Sequence, residues 1–365
     1  MIKSKKLSII LGSVAFCLSV HAATDFQADN ILISSNNTLY EYNPNGELIS
    51  QIAIPIISTE KARDMIILEN GDLAVYNGTF TPQLSVYNGS DWSSYTVDGW
   101  STVNNGTYGG ITNIGDTVYL TDHSTYNDGD TQGLIALDLN SNTSQRFLES
   151  HEYIDITLGE DNLLYALRNF YGDLDVIDPV SYEVLRTLDL GHTSSSRSVT
   201  ANRDGLIYMV SWSGYIAQYD TTGILIKTLT LGNNTHDIDI DNNGNIVVGG
   251  RSGEIYLTDE SLNSYTQILV SSSNTFVAFT TPIQYEPTPE APVLTGSHRK
   301  RGRNIVTTLN WTTQAPAVDV YFNGELLETL NDTNTATYYY FKKLSQEFMV
   351  CNIGTLDCSE PYTSR

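Results

Sequence analysis

Cysteine is nearly absent from this chain: three residues in 365, at Cys17, Cys351 and Cys358. That excludes a dense disulfide framework and the paired cysteines of a zinc module. Positive charge is also scarce, with 19 Lys and Arg against 42 Asp and Glu and a net charge of -23. So acidic a chain is repelled by nucleic acid and by anionic lipid. Catalytic signatures are missing as well. There is no Gly-x-Ser-x-Gly elbow, no His-Glu-x-x-His helix, no phosphate-cradling glycine loop and no cysteine nucleophile. Only six histidines occur. Beyond Leu7 to Val20 no apolar run could span a membrane, and that run is short for one.

What is present begins with an export pattern. Lys3, Lys5 and Lys6 precede Leu7 to Val20, and Val20-His-Ala22 fits the small-residue cleavage rule, so residues 1–22 read as a signal peptide. The expected location is the periplasm, the cell surface or the medium. Cys351 and Cys358 then remain as an even pair, seven apart, which reads as one local disulfide.

The body of the chain is a repeated hairpin. In His236 to Gly250, Ile238 and Ile240 alternate with Asp237, Asp239 and Asp241, the period of a half-buried strand. Asp241-Asn-Asn-Gly244 then supplies turn chemistry, and Ile246-Val-Val248 runs back. Variants start at Arg63, Gly109, Ile154 and Arg197. Their turn positions, Gly71, Gly115, Asn162, Gly205 and Gly244, lie 44, 47, 43 and 39 residues apart. Four strands per unit at this period predict propeller blades. A first unit from Ala28 to Ile54 lacks an innermost strand, and Thr275 to Thr280 is a strand without a unit. Joining the two predicts a six-bladed, all-β propeller over 23–284, closed by a composite first and last blade. Tyr285 to Pro292 reads as a proline-rich linker. Residues 293–365 read as a small β-sandwich, with Asn323-Gly324 as a hairpin signal.

The repeats resemble six-bladed propellers of the NHL-like class found in exported bacterial proteins, without the Trp-Asp pairs of WD40 blades. The tail resembles a fibronectin type III-like module on Leu309-Asn-Trp311, Val318 to Glu325 and Phe348-Met-Val-Cys351. Phe348 stands where such modules place a tyrosine.

Counting back from each turn gives the candidate sites. Asp64, Asp155, Ser198 and Asp237 share one register, and Arg63, Ile154, Arg197 and His236 share the position before it. Innermost strands line a propeller's channel, so these side chains are expected around one mouth. Two readings stay open: a binding site, or an internal network that satisfies strand ends. Asp64, Asp155 and Asp237 could hold a divalent cation, with calcium the one suited to carboxylates, although no motif requires a cofactor. Asp239 to Gly244 opens like an EF-hand loop but has Gly250 where the bidentate Glu belongs, so a hairpin is expected. Trp100 and Tyr108, in the Gly- and Asn-rich segment 98–110, are candidate contacts for a protein or glycan partner.

The leading expectation is an exported, monomeric, non-catalytic binding or scaffolding protein that recognises a protein or glycan through propeller loops. The alternative is a metal-dependent lyase or lactone hydrolase at the channel mouth, with His236 as base.

Overall fold

The computed structural model describes residues 26–55, 62–77, 83–96, 109–122, 132–168, 172–191, 195–232, 234–271, 273–281, 283, 291–302, 304–313, 315, 317–331, 333–341, 346–352 and 358–364. The expected signal peptide, Trp100, Tyr108 and most of the expected linker lie outside the described residues. Among those described, secondary structure is all β, and no helix is long and apolar enough to cross a membrane. The fold divides into two compact units, 1–285 and 286–365.

The first unit holds six four-stranded antiparallel sheets. In chain order the strands are β1 (Ile31–Ser35), β2 (Thr38–Tyr42), β3 (Leu48–Ala53), β4 (Ala62–Ile67), β5 (Leu73–Asn77), β6 (Gln83–Tyr87) and β7 (Trp92–Thr96). Then come β8 (Ile111–Ile114), β9 (Thr117–Asp122), β10 (Gly133–Asp138), β11 (Thr143–Phe147), β12 (Tyr153–Leu158), β13 (Leu164–Arg168), β14 (Asp173–Ile177) and β15 (Val184–Asp189). The remainder are β16 (Ser196–Ala201), β17 (Ile207–Ser211), β18 (Tyr215–Tyr219), β19 (Leu225–Thr230), β20 (Thr235–Ile240), β21 (Asn245–Gly250), β22 (Glu254–Asp259), β23 (Thr266–Leu269) and β24 (Thr275–Phe279). Five sheets are continuous in sequence. The sixth has the order β24-β1-β2-β3, with Ile31 opposite Phe279 and Ser35 opposite Thr275.

The hairpin repeat has a common backbone explanation. At the β4–β5 turn the Leu68 and Asp72 backbones pair while Gly71 N–H donates to the Leu68 carbonyl. The same bonds recur around Asn202 and Gly205, and around Asp241 and Gly244. All five turn residues take positive φ, between 55° at Asn162 and 88° at Gly71, which Gly and Asn adopt at low cost. Asp241 Oδ1 accepts from the Asn243 and Asn245 N–H groups, so the EF-hand-like letters form an Asx-stabilised hairpin.

Burial follows position within each sheet. The second strand β17 is buried throughout, whereas the fourth strand β19 is mostly exposed. Sheets meet face to face through apolar side chains: Tyr208, Val210 and Ile216 of one pack with Ile238, Ile240 and Val248 of the next. Each such Val or Ile removed from water contributes about 1.5–3 kcal/mol before entropy is counted. The inner strands touch in succession, β4 with β8, β8 with β12, β12 with β16, β16 with β20, β20 with β24, and β24 with β4.

The second unit has a three-stranded sheet, β25 (Val293–Arg301), β26 (Asn304–Thr312) and β29 (Thr335–Phe341), with β26 central. A four-stranded sheet has the order β28 (Glu325–Asn331), β27 (Ala317–Phe322), β30 (Gln346–Asn352), β31 (Tyr362–Ser364). Leu309, Trp311, Val318, Val320, Phe348 and Val350 form its core. Phe348 is fully buried and stacks on Tyr338 at 5.4 Å between ring centroids. Cys351 and Cys358 form a disulfide.

Candidate functional site

The inner strands share an irregularity that alternation alone does not predict. In β4, β12, β16 and β20 the pairing register slips after the first residue. The extra residue is Arg63, Ile154, Arg197 or His236, each a β-bulge that re-aims its side chain. The bulge separates two levels. Arg63 lines one cavity, and Asp64, its neighbour, lines another. Residues expected around a single mouth are thus divided between two places.

The larger cavity, ≈ 400 Å³, is lined by Asp64, Asp155, Ser198, Asp237, Asp239 and Phe279, among others. Its carboxylates are held by backbone N–H groups, of the neighbouring sheet in each case and of their own strand in some. Asp64 Oδ2 accepts from Ile111 N–H at 2.9 Å, and its Oδ1 from Met65 N–H at 2.7 Å. Asp155 Oδ2 accepts from Val199 N–H at 2.6 Å. Asp237 Oδ2 accepts from Val277 N–H at 2.7 Å, and its Oδ1 from Ile238 N–H and the Ser198 hydroxyl, both at 3.0 Å. Asp239, half-buried, repeats the pattern with Phe279 and Ile240. Each carboxylate therefore acts as a staple from one inner strand to the next.

Position 110 explains why the strand that opens at Ile111 has no carboxylate at this level. A Cβ on Gly110 would stand 2.5 Å from the Ile156 nitrogen and 2.6 Å from Asp155 Cα, so only glycine lets the two strands approach. Burial lifts these carboxyls above the usual range. Asp64, 8% exposed, is raised by burial and then by Asp237 and Asp155. Asp155 is pushed up to about 7 chiefly by burial, and Asp237 to about 8 by burial and then Asp155. The N–H donors pull the other way, because they favour the ionised form. Among the described residues no group of three or more His, Cys, Asp or Glu is arranged to hold a metal ion.

The smaller cavity, ≈ 280 Å³, opens at the N-terminal end of the inner strands. Arg63, Arg251, Ser252, Ser273, Asn274 and Phe276 line it. Arg251 also stands over the ring of Trp212, as does Arg197, with Cζ 5.1 Å and 4.6 Å from the ring centroid. His236 meets Trp212 edge-on at 5.0 Å and Phe276 at 6.3 Å. It is 5% exposed, and burial followed by Arg197, Arg251 and Arg63 drives its pKa down to about 3. The imidazole is neutral at physiological pH, and its Nε2 has no hydrogen-bond partner among the described residues.

Sequence reasoning named Arg63, Asp64, Asp155, Arg197, His236 and Asp237 as site residues but did not place Asp239, Trp212 or Arg251 among them. A signal for the last two existed. Trp212 and Arg251 each follow the second strand of a repeat, and each donates its N–H to a carbonyl just before or at the start of an inner strand, Ser195 and Asn234.

No family model and no curated protein matches the sequence. Solved structures do. A chain of a nidogen/laminin complex is 9% identical over 69% of this chain and 99% of that one, with a TM-score of 0.54. Virginiamycin B lyase from Staphylococcus aureus is 13% identical over 78% and 90%, at 0.49. The extracellular domain of a putative one-component system from B. thetaiotaomicron is 13% identical over 92% of this chain and 54% of its own length, at 0.48. At these identities the likeness speaks to fold alone. With the repeated four-stranded sheets, the first unit of this chain is a β-propeller.

Proposed function

We propose that this chain is an exported binding or scaffolding protein that recognises a protein or glycan without transforming it. The fold under that reading is a six-bladed propeller of the NHL-like class, closed where β24 completes the first sheet, then a fibronectin type III-like sandwich. The successive contacts of the inner strands, returning from β24 to β4, support the ring. The disulfide supports an oxidising destination, with residues 1–22 as the cleaved signal.

One observation carries the non-catalytic reading. The inner-strand carboxylates that could act as acids, bases or metal ligands are occupied by backbone N–H groups, while the neutral imidazole of His236 stands at the other level, among arginines. A carboxylate that orients a catalytic imidazole stands within hydrogen-bond reach of one of its nitrogens, and Nε2 has no such partner among the described residues. The alternative, a lyase or lactone hydrolase with calcium or another divalent ion on Asp64, Asp155 and Asp237, draws support from carboxyls poised near neutrality.

The test is a panel of lactones, uronate oligosaccharides and peptides incubated with the purified chain, with and without calcium, products read by mass. No conversion is expected, and an EDTA-treated sample should melt at the same temperature. Turnover abolished by His236→Ala overturns the proposal.

A further inference from the structure

We infer that the outer face of the three-stranded sheet in the second unit docks an extended anionic polysaccharide, one that carries carboxylate or sulfate groups. The inference lies outside the propeller and stands whether the propeller binds its own ligand or transforms it.

Charge is segregated between the two sheets of this unit. The 25 residues of β25, β26 and β29 contain no Asp or Glu. At the chain's average of 42 acidic residues in 365 they would hold about three. Instead β25 ends in His298-Arg-Lys-Arg301, all exposed. The other sheet is the reverse, with Asp319, Glu325, Glu328 and Glu347 and no Lys or Arg. Arg299, Lys300 and Arg301 make no ion pair with a described carboxylate.

Register decides which of these groups share a face. Directly paired residues of antiparallel strands point to the same side of a sheet, and the side alternates along each strand. Leu309 and Trp311 point into the core, so the alternate residues of β26 and their partners point out. One outward row reads Arg299, Val306, Tyr339 across β25, β26 and β29, and beyond it Arg301 stands opposite Asn304. On the other side of that row come Ser297, Thr308 and Thr337, then Thr295, Asn310 and Thr335. The outward residues of both outer strands, β25 and β29, are exposed, Tyr339 to 61%. His298 and Lys300 alternate to the other side, where His298 Nδ1 meets the Tyr362 hydroxyl at 3.1 Å. At the backbone, Arg299 and Arg301 stand about 7 Å apart, and Tyr339 about 10 Å across from Arg299.

Each part of this face has a use in holding an acidic glycan. Guanidinium groups pair with carboxylate or sulfate oxygens in bidentate fashion. The two rows of hydroxyl and amide groups suit sugar hydroxyls; the Thr308 and Thr337 oxygens, 3.2 Å apart, bond to each other and keep acceptor capacity. Tyr339 offers an exposed ring for the C–H face of a pyranose. A sheet face has no walls, so its ligand gains contacts by lying along it as a chain of several sugars. Other partners fit less well. The core of a protein interface is rich in aromatic and apolar anchors and poor in serine, whereas hydroxyls fill the middle of this face. A bilayer presents an anionic plane to a whole chain of net charge -23. It would also need an exposed apolar cluster to insert, and here Val293 and Tyr339 are separated by polar rows.

The experiment is calorimetric titration of the full chain, at two salt concentrations, with polygalacturonate, dextran sulfate, neutral dextran and phosphatidylglycerol vesicles. At least one of the two anionic polysaccharides should bind tenfold or more tighter than dextran, and the tighter of them identifies the acidic group. Arg299→Ala combined with Arg301→Ala should weaken it tenfold or more and flatten its salt dependence, because fewer counterions are released. The corresponding pair of Lys substitutions should weaken it by less. Tyr339→Ala should cost about threefold with every charge kept. Arg203→Ala, which removes one exposed positive charge elsewhere, should change the affinity by less than twofold. Thermal melts of each variant confirm folding. Equal binding of dextran overturns the proposal, as does an affinity indifferent to the double alanine variant or equally sensitive to Arg203→Ala. Tighter binding of the vesicles, lost in the double alanine variant, assigns the face to a membrane and overturns it too.

Discussion

Arg63 and Asp64 are consecutive residues on one strand, as are His236 and Asp237, yet each pair ends in two different chemical settings. At the acid level the polar groups are pinned to the backbone of the next sheet and hold the fold together. At the basic level they stack on an indole and carry charge toward a cavity. One bulge separates them. Adjacent ionisable groups on an inner strand can thus enter two different environments, provided that the backbone breaks its alternation between them.

The comparison breaks hardest where a staple is removed. Asp237→Ala leaves the Val277 and Ile238 N–H groups and the Ser198 hydroxyl without their shared acceptor. At about 1–3 kcal/mol per orphaned buried group, the urea midpoint should drop sharply. Gly110→Ala comes next, because the new methyl meets the β12 backbone. A loss of about 1–3 kcal/mol is expected from overpacking, read by the same denaturation.

Two pH profiles sharpen the contrast, because the two levels have opposite signs. Asp155 carries a folded-state pKa of about 7, above its unfolded value, so the folded protein binds the extra proton. Its contribution is full below about pH 4 and lost as pH rises through 7. The melting temperature should therefore fall between pH 5 and pH 8, and Asp155→Asn should flatten that slope. His236 has its pKa lowered to about 3, so here the unfolded chain binds the extra proton. Its contribution is present above about pH 6.5 and lost as pH falls toward 3. His236→Gln should make the protein less sensitive to acid over that range. The smallest effect belongs to Arg251→Ala. Removing one of three like charges should move the melting temperature by no more than about 2 °C.

Much of this was legible in the sequence. The Gly and Asn turns fixed the hairpins, their spacing gave the repeat, and Thr275 to Thr280 declared itself as a strand whose sheet lay elsewhere. The common register of Asp64, Asp155, Ser198 and Asp237 was also plain. Their partners were not, since each carboxylate bonds a backbone N–H on the following repeat, 47, 44 and 40 residues on for Asp64, Asp155 and Asp237. A backbone donor has no letter. The bulge was equally silent, because Arg63, Ile154, Arg197 and His236 have no side-chain property in common. Arg251 and Trp212 hold the same place after the second strand of their repeats, a signal visible only when repeats are compared, since local pattern there reads as a turn.

The sheet β24-β1-β2-β3 imposes an order of events. Ile31 leaves the ribosome almost 250 residues before Phe279, its partner across the ladder. Until then β1 carries an open edge, and such edges are the part of a nascent chain that pairs wrongly with its neighbours. The loop-closure entropy of the longest contact in the unit is met only at the end of synthesis, so assembly of this sheet is slow compared with the hairpins that precede it. A chain built in this way must be kept apart from its copies while it waits.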